Sequence, residues 1–157
     1  MSSAHPDFQH LPKDLSHDSE ILKAMKAEEP AAVRTLNGEL LDIDSARGYA
    51  RLRFEIVPAF CHSQGRICQG GFLTGMVDTA MANAAIVKGR LAVAVPTLEV
   101  KVSFFEAMGP GIVYAEGRVL RWGGSVGFLD GELKDEKGRL IVHATSTVKI
   151  VRPKAKT

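Results

Sequence analysis

Residues 69–88 read QGGFLTGMVDTAMANAAIVK. Between Arg66 and Lys88 this run holds one formally charged side chain, Asp78, among Phe, Leu, Met, Val, Ile and Ala. Its length and its lack of alternation predict a helix from Gly71 to about Val87, closed by Lys88 and Gly89 in the manner of a C-cap. A helix that is apolar on nearly all sides must be wrapped rather than covered along one stripe.

The flanking sequence supplies the wrapping. Before the helix, LNGELLDID and GYARLRFEIV alternate with period two around the turn-like SARG, which predicts an antiparallel pair. PAFCHSQGRICQGG then reads as a loop broken by Pro58, Gly65, Gly70 and Gly71. After the helix come LAVAVPTLEVKVSFFEA, IVYAEGRVLRW, SVGFLDGELKD and RLIVHATSTVKIV, separated by MGPG, GG and EKG. We read these four as a meander. In TLEVKVSF, Leu98, Val100, Val102 and Phe104 share one face, and Thr97, Glu99, Lys101 and Ser103 the other. The expected class is α+β, a strongly curved antiparallel sheet around a single apolar helix. Residues 1–33 are expected to form a polar segment with a short helix near 19–28 capped by Asp18 or Ser19. The main domain spans 34–152, and 153–157 form a disordered tail.

Composition narrows the function classes. With 157 residues, the chain fits one domain with a real core. It is 45% hydrophobic and 24% charged, with a formal charge of +2. The basic residues are scattered rather than striped, so no nucleic-acid partner is expected. No run could span a bilayer, since residues 70–87 are interrupted by Asp78, Asn83 and glycines. The N-terminal residues lack a basic region followed by an apolar stretch, so no secretory signal is read. Cys61 and Cys68, the two cysteines, then fit reduced thiols in a cytoplasmic protein. The five histidines show no ligand spacing, and no metal or other cofactor is expected.

Asp78 is the residue that asks for a reason. A buried carboxylate without a partner costs several kcal/mol or shifts its pKa. Two readings stay open from the pattern alone. Thr74, Asp78 and Met81 could form a solvated face. Alternatively, Gly71, Thr74 and Asp78 could line a cleft that begins at the free N–H groups of the helix start, where an oxyanion or polarised carbonyl is favoured.

The run HSQGRICQGGFLTGMVDTAMANAA resembles the signature of the hotdog-fold acyl-CoA thioesterases, in the branch related to phenylacetate-pathway thioesterases. That signature is roughly Asn-x-x-Gly, then His-Gly-Gly, with an Asp nine residues after the His and a small residue and Ala beyond. Here Gln69 lies nine residues before Asp78, and Gly70, Gly71, Asp78 and Ala80 match. PTLEVKVSFFEA resembles the family's downstream strand. The resemblance covers about Leu36 to Val151 and implies a hotdog fold. It implies hydrolysis of an acyl-CoA, medium-chain or aromatic, by a homodimer or homotetramer with shared sites. Asp78 takes the place of the nucleophile or general base, the Gly71 N–H that of the carbonyl-polarising donor, and Thr97 that of the water-orienting hydroxyl. Gly70 accompanies them in the substrate site.

Two positions depart from the pattern. Gln69 stands where the family has His, and His62 stands where it has Asn. Gln69 can donate through its amide but cannot shuttle a proton, and His62 could return an imidazole to the site. These departures keep two alternatives in view, a non-catalytic acyl-CoA-binding module and a hotdog hydratase or dehydratase. By the same resemblance, Arg118, Arg121 and Arg139, near strand ends, are candidates for the CoA phosphates. Phe60, Met76, Met81 and Phe105 are expected to line the acyl tunnel.

Overall fold

The computed structural model describes residues 17–152; residues 1–16 and the expected tail at 153–157 lie outside it. Two short helices, α1 (Asp18–Ala27) and α2 (Ala31–Thr35), lead into strands β1 (Gly38–Asp44) and β2 (Tyr49–Ile56). A one-turn 3-10 helix at Pro58–Phe60 and a two-residue hairpin, β3 (Cys61–His62) and β4 (Ile67–Cys68), occupy the expected loop. Helix α3 (Gly70–Lys88) follows, then β5 (Thr97–Phe104), β6 (Gly111–Trp122), β7 (Val126–Asp135) and β8 (Leu140–Lys149). The result is the hotdog architecture, an antiparallel six-stranded sheet with one long helix against it.

The helix follows from its sequence. Nine of its 19 residues are buried, including Met76, Val77, Ala80, Met81 and Ala84, which are fully enclosed. Burying each of the larger ones is worth about 1.5–3 kcal/mol, so packing rather than propensity holds the helix. A glycine pair sets how close it comes. Gly117 in β6 and Gly131 in β7 face each other across the ladder. A Cβ on Gly117 would lie 2.2 Å from the Ala80 carbonyl oxygen, and one on Gly131 would lie 2.7 Å from Met81 Cγ. Only glycine at both positions lets the backbone of α3 settle onto the sheet.

Three expectations need correction. The sheet order is β1-β2-β6-β7-β8-β5, so the last four strands are not a simple meander. β5 leaves the helix for the far edge and pairs with β8, and β6 returns to β2 in the middle. β5 also begins at Thr97 rather than Leu91; before it the chain is irregular except for a bridge between Ala94 and Val151.

The third correction concerns faces. Thr97 pairs with Val148, but Glu99 pairs with Thr147, so Leu98 is an extra residue, a β-bulge. Val100, Val102 and Phe104 lie opposite Ser146, Ala144 and Val142, whose side chains are buried on the helix side. Beyond the bulge the parity flips, and Thr97, opposite buried Val148, joins that inner face while Leu98 turns out to solvent. A bulge at Leu41 in β1 likewise brings Leu40 and Ile43, three apart, onto one buried side.

At the N-terminal side, Ile21 and Met25 of α1 join the same core. The residue at the N-cap is His17, not Asp18 or Ser19. Asp18 instead accepts hydrogen bonds from the Ser45 backbone N–H (3.1 Å) and hydroxyl (2.5 Å), tying α1 to the β1–β2 turn.

Candidate active site

Four polar side chains interrupt the apolar stretch of α3: Thr74, Asp78, Thr79 and Asn83. Three of them spend a donor on the carbonyl one turn back. Thr74 donates to Gly70 O at 2.8 Å, Thr79 to Gly75 O at 2.7 Å and Asn83 to Thr79 O at 2.8 Å. An ionised carboxylate has no donor and cannot follow them. Asp78 finds its partner off the helix: Thr97 Oγ1 donates to Asp78 Oδ1 at 3.2 Å. The Leu98 bulge makes this contact, since regular alternation would aim Thr97 outward. Met81 is completely buried, so the solvated face of Thr74, Asp78 and Met81 does not exist.

Burial pushes the Asp78 carboxyl above the ordinary aspartate range, and the Thr97 hydrogen bond pulls partly the other way. Desolvation is the larger effect. A half-buried carboxylate with a raised pKa and a single hydroxyl partner is a stronger base than a solvated one.

The helix start is capped by Gln69. Its Oε1 accepts from the Gly71 N–H at 2.7 Å, so the expected carbonyl-polarising donor is engaged by the chain's own side chain. Gly70 packs under Phe104; a Cβ there would lie 3.0 Å from the ring. Beside it a cavity of about 380 Å³ is lined by Gly70, Leu73, Phe104, Phe105 and Met108 among others. Of the residues expected to line an acyl tunnel, Phe105 is there, whereas Met76 and Met81 lie fully inside the core. Phe60 stacks on Phe72, ring centroids 4.5 Å apart, and fastens the preceding loop to α3.

His62 lies in the small hairpin with Nδ1 2.9 Å from Ser63 Oγ. Cys61 and Cys68 face each other in that hairpin as free thiols. Burial, with Cys61 alongside, pushes the Cys68 thiol up to about 11, which leaves almost no thiolate near neutral pH.

The three candidate phosphate-binding arginines sit elsewhere. Gly117 faces the helix, so its neighbour Arg118 points outward, where it meets Glu116 at 2.6 Å, Asp130 at 3.4 Å and Glu132 at 3.7 Å. His143 Nε2 joins the same cluster through Asp130 at 2.5 Å. Arg121 stands opposite exposed Phe128 on that outer face. Arg139 is held by Asp135 at 2.7 Å. The pleat of the sheet thus separates Arg118 and Arg121 from Asp78 and Gly71. Among the described residues no cluster of three or more His, Cys, Asp or Glu could hold a metal ion, and no helix is long and apolar enough to cross a membrane.

Residues 66–142, which include α3 with its carboxylate and strands β5, β6 and β7, match the family model of the thioesterase superfamily. A phenylacetic acid degradation-related protein from Ralstonia eutropha, described as a candidate thioesterase, superposes with a TM-score of 0.74 at 28% identity, over 83% of this chain and 97% of that one. The Escherichia coli PaaI protein from the phenylacetic acid degradation operon gives 0.76 at 18% identity, over 89% and 98%. A thioesterase from Haemophilus influenzae gives 0.74 at 14%, over 89% and 94%. The last two likenesses carry the fold alone. No curated protein matches the chain. The fold is the hotdog fold, and the thioesterase superfamily's model matches residues 66–142 of it. At 28% identity, the phenylacetic acid degradation-related protein is the one of these three whose likeness goes beyond the fold.

Proposed function

We propose that the protein hydrolyses acyl-CoA thioesters, with a medium-chain or aromatic acyl group, at sites shared between two copies of the chain. The observation that carries this reading is the Asp78–Thr97 pair, a carboxylate with a raised pKa whose hydroxyl partner is brought in by a bulge. Thr97 positions a water, Asp78 takes its proton, and the resulting hydroxide adds to the thioester carbonyl carbon. The oxyanion is held by the Gly71 N–H; collapse expels the CoA thiolate, which takes up a proton. Water and thioester become acid and thiol. Alternatively, the Asp78 carboxylate attacks directly and water then cleaves the anhydride. Either way Gln69 Oε1 must leave the Gly71 N–H for the substrate carbonyl to enter.

Geometry supports a shared site. Gly71 and Asp78 lie seven residues apart on one helix, about 10 Å along its axis. A single carbonyl cannot accept from the first while its carbon is attacked from the second. One of the two must come from another copy. β5 is the edge strand beside Asp78, and it exposes Leu98 (60%), Phe104 (53%) and, just beyond it, Phe105 (58%). Such an edge is a natural place for a second chain to add.

The test is a panel of acyl-CoAs with free-thiol detection, repeated on mixed chains. Asp78→Asn and Gly71→Pro chains are each expected to be inactive, and together to regain part of the activity. No recovery in mixed dimers shown to form from folded chains sinks the shared site. The engaged Gly71 N–H favours a second reading, a module that binds acyl-CoA without turnover. Saturable binding with no thiol released from any member of the panel would establish that reading instead.

A further inference from the structure

The hairpin before α3 sets Cys61 opposite Cys68. Both are free thiols, Cys61 half-buried and Cys68 buried. The surrounding hydrogen bonds fix what kind of pair they form. One step out, the Gln69 N–H donates to Phe60 O at 2.9 Å, and the Cys68 N–H turns away from Cys61 to Met108 O at 2.7 Å. Bonded and non-bonded pairs alternate along an antiparallel ladder, so Cys61 and Cys68 are a non-hydrogen-bonded pair, with Cα atoms about 4.5 Å apart. That separation lies within the range of roughly 4.4–6.8 Å that a disulfide spans, and the Cys61 side chain already hydrogen-bonds the Cys68 thiol. The pair stands between two anchored feet and a tip of another character. Phe60 stacks on Phe72 and Gln69 caps Gly71, both in α3. Ser63, Gln64 and Gly65 at the tip all take left-handed conformations, φ 52°, 61° and 77°. Cys68 also lines the cavity of about 380 Å³ beside Gly70.

Three uses are open to such a pair, and two fail here. No third ligand stands nearby among the described residues, so the thiols do not make a metal site. The Cys68 thiol, pushed up to about 11 by burial, is too rarely ionised to attack a substrate. Covalent pairing remains. We propose that Cys61 and Cys68 are a reversible dithiol–disulfide site, oxidised by a low-molecular-weight disulfide such as glutathione disulfide, and that the bond latches the hairpin over the cavity. The half-buried Cys61 meets the oxidant. Its sulfur, releasing a proton, attacks one sulfur of the glutathione disulfide, and one glutathione leaves as a thiolate that takes up a proton. Cys68 then loses its proton and attacks the Cys61 sulfur of the mixed disulfide, expelling the second glutathione. Two protein thiols are oxidised to one disulfide, and one glutathione disulfide is reduced to two thiols. The cross-strand register holds Cys68 against the Cys61 sulfur, which offsets its scarcity of thiolate. The bond itself is independent of hydrolysis. Its effect on turnover rests on the hydrolase reading, because a latched hairpin holds Gln69 on the Gly71 N–H.

The full chain, treated with excess glutathione disulfide, is read for free thiols, intact mass, amide exchange and melting temperature. Wild type is expected to lose both thiols within a single chain that carries no glutathione, whereas Cys68→Ser stops at a mixed disulfide on Cys61. The oxidised chain should exchange amides over residues 61–69 more slowly and melt several degrees higher. On an acyl-CoA that the reduced chain hydrolyses, kcat/KM should fall several-fold, recover with dithiothreitol, and stay unchanged in Cys61→Ser. Wild type that keeps its thiols, stops at a mixed disulfide, joins two chains, or melts lower once oxidised overturns the site. A disulfide that leaves exchange unchanged, or leaves turnover unchanged in an active chain, overturns the latch. Slower exchange in the oxidised chain, when even the reduced chain hydrolyses no acyl-CoA, keeps the site and its latch and removes the hydrolase reading instead.

Discussion

Strands β6 and β7 touch α3 in one way, and β5 touches it in another. β6 and β7 meet the helix through Gly117 and Gly131, at distances that leave no space for a methyl group. β5 is exposed along most of its length and meets the helix chiefly near its ends, with Thr97 at Asp78 and Phe104 at Gly70. The first contact region meets the helix through bare glycine backbone, and the second has the hydroxyl that finds the carboxylate. Stability and reactivity are therefore assigned to different strands of one sheet, and a substitution can be expected to disturb one without the other.

The sharpest break in that comparison is Asp78→Asn. Turnover should fall by ~10² to 10⁴ if Asp78 is the base or nucleophile. Stability should move the other way. Because the carboxyl is raised above its unfolded value, the fold gains from its protonation at low pH and loses that gain as pH rises through the raised value. At neutral pH the ionised group is a net cost, so the amide should melt higher. A folded Asp78→Asn chain with wild-type turnover would remove Asp78 from the mechanism.

Gly117→Ala tests the opposite half. Overpacking against the Ala80 carbonyl should cost about 1–3 kcal/mol and lower the melting temperature by several degrees, at about 2–4 °C per kcal/mol for a domain of this size. Turnover per folded molecule should stay as it was. A selective loss of turnover at unchanged melting temperature would mean that helix placement, not helix retention, depends on this glycine.

Thr97→Val keeps the shape and removes the hydroxyl. A lost hydrogen bond of about 0.5–1.5 kcal/mol predicts a reduction of a few-fold to about tenfold in turnover. Thr97 holds the Asp78 carboxyl down against burial. Its removal should therefore shift the acid limb of the kcat/KM profile to higher pH. An unmoved limb would show that the Thr97–Asp78 contact is absent in the working enzyme.

The smallest effect belongs to Gln69→Ala. Loss of the cap should destabilise α3 by about 1 kcal/mol, while freeing the Gly71 N–H should raise kcat/KM a few-fold. A fall in kcat/KM would make Gln69 a participant rather than a competitor for that donor.

Much of this was legible in the residues. The helix, its apolar packing and the six long strands follow from periodicity and breakers, because burial on one face or on all faces leaves its mark on every position. Asp78 announced itself as the one carboxylate in its helix. Gly71 was one of two open readings of the pattern, Thr97 was reached through family resemblance, and a strict reading of alternation placed Thr97 on the wrong face. Bulges explain why: an extra residue changes parity without changing composition. The glycine pair was equally silent, since Gly117 and Gly131 acquire their meaning from the helix that lies on them. Arg118 and Arg139 looked available in sequence and are held by acids that only the pairing of β6 with β7 and the β7–β8 turn bring near.

The bulge at Leu98 has one more consequence. The hydroxyl reaches the carboxylate because of how many residues precede Val100, and not only because position 97 is a threonine. Removing a single residue there would leave every neighbouring side chain chemically unchanged, yet turn position 97 from the helix side to the solvent side. In this strand an insertion or deletion of one residue is the mutation that acts as a switch, and natural or designed relatives differing by that one step would share the fold while exchanging an occupied carboxylate for an orphaned one.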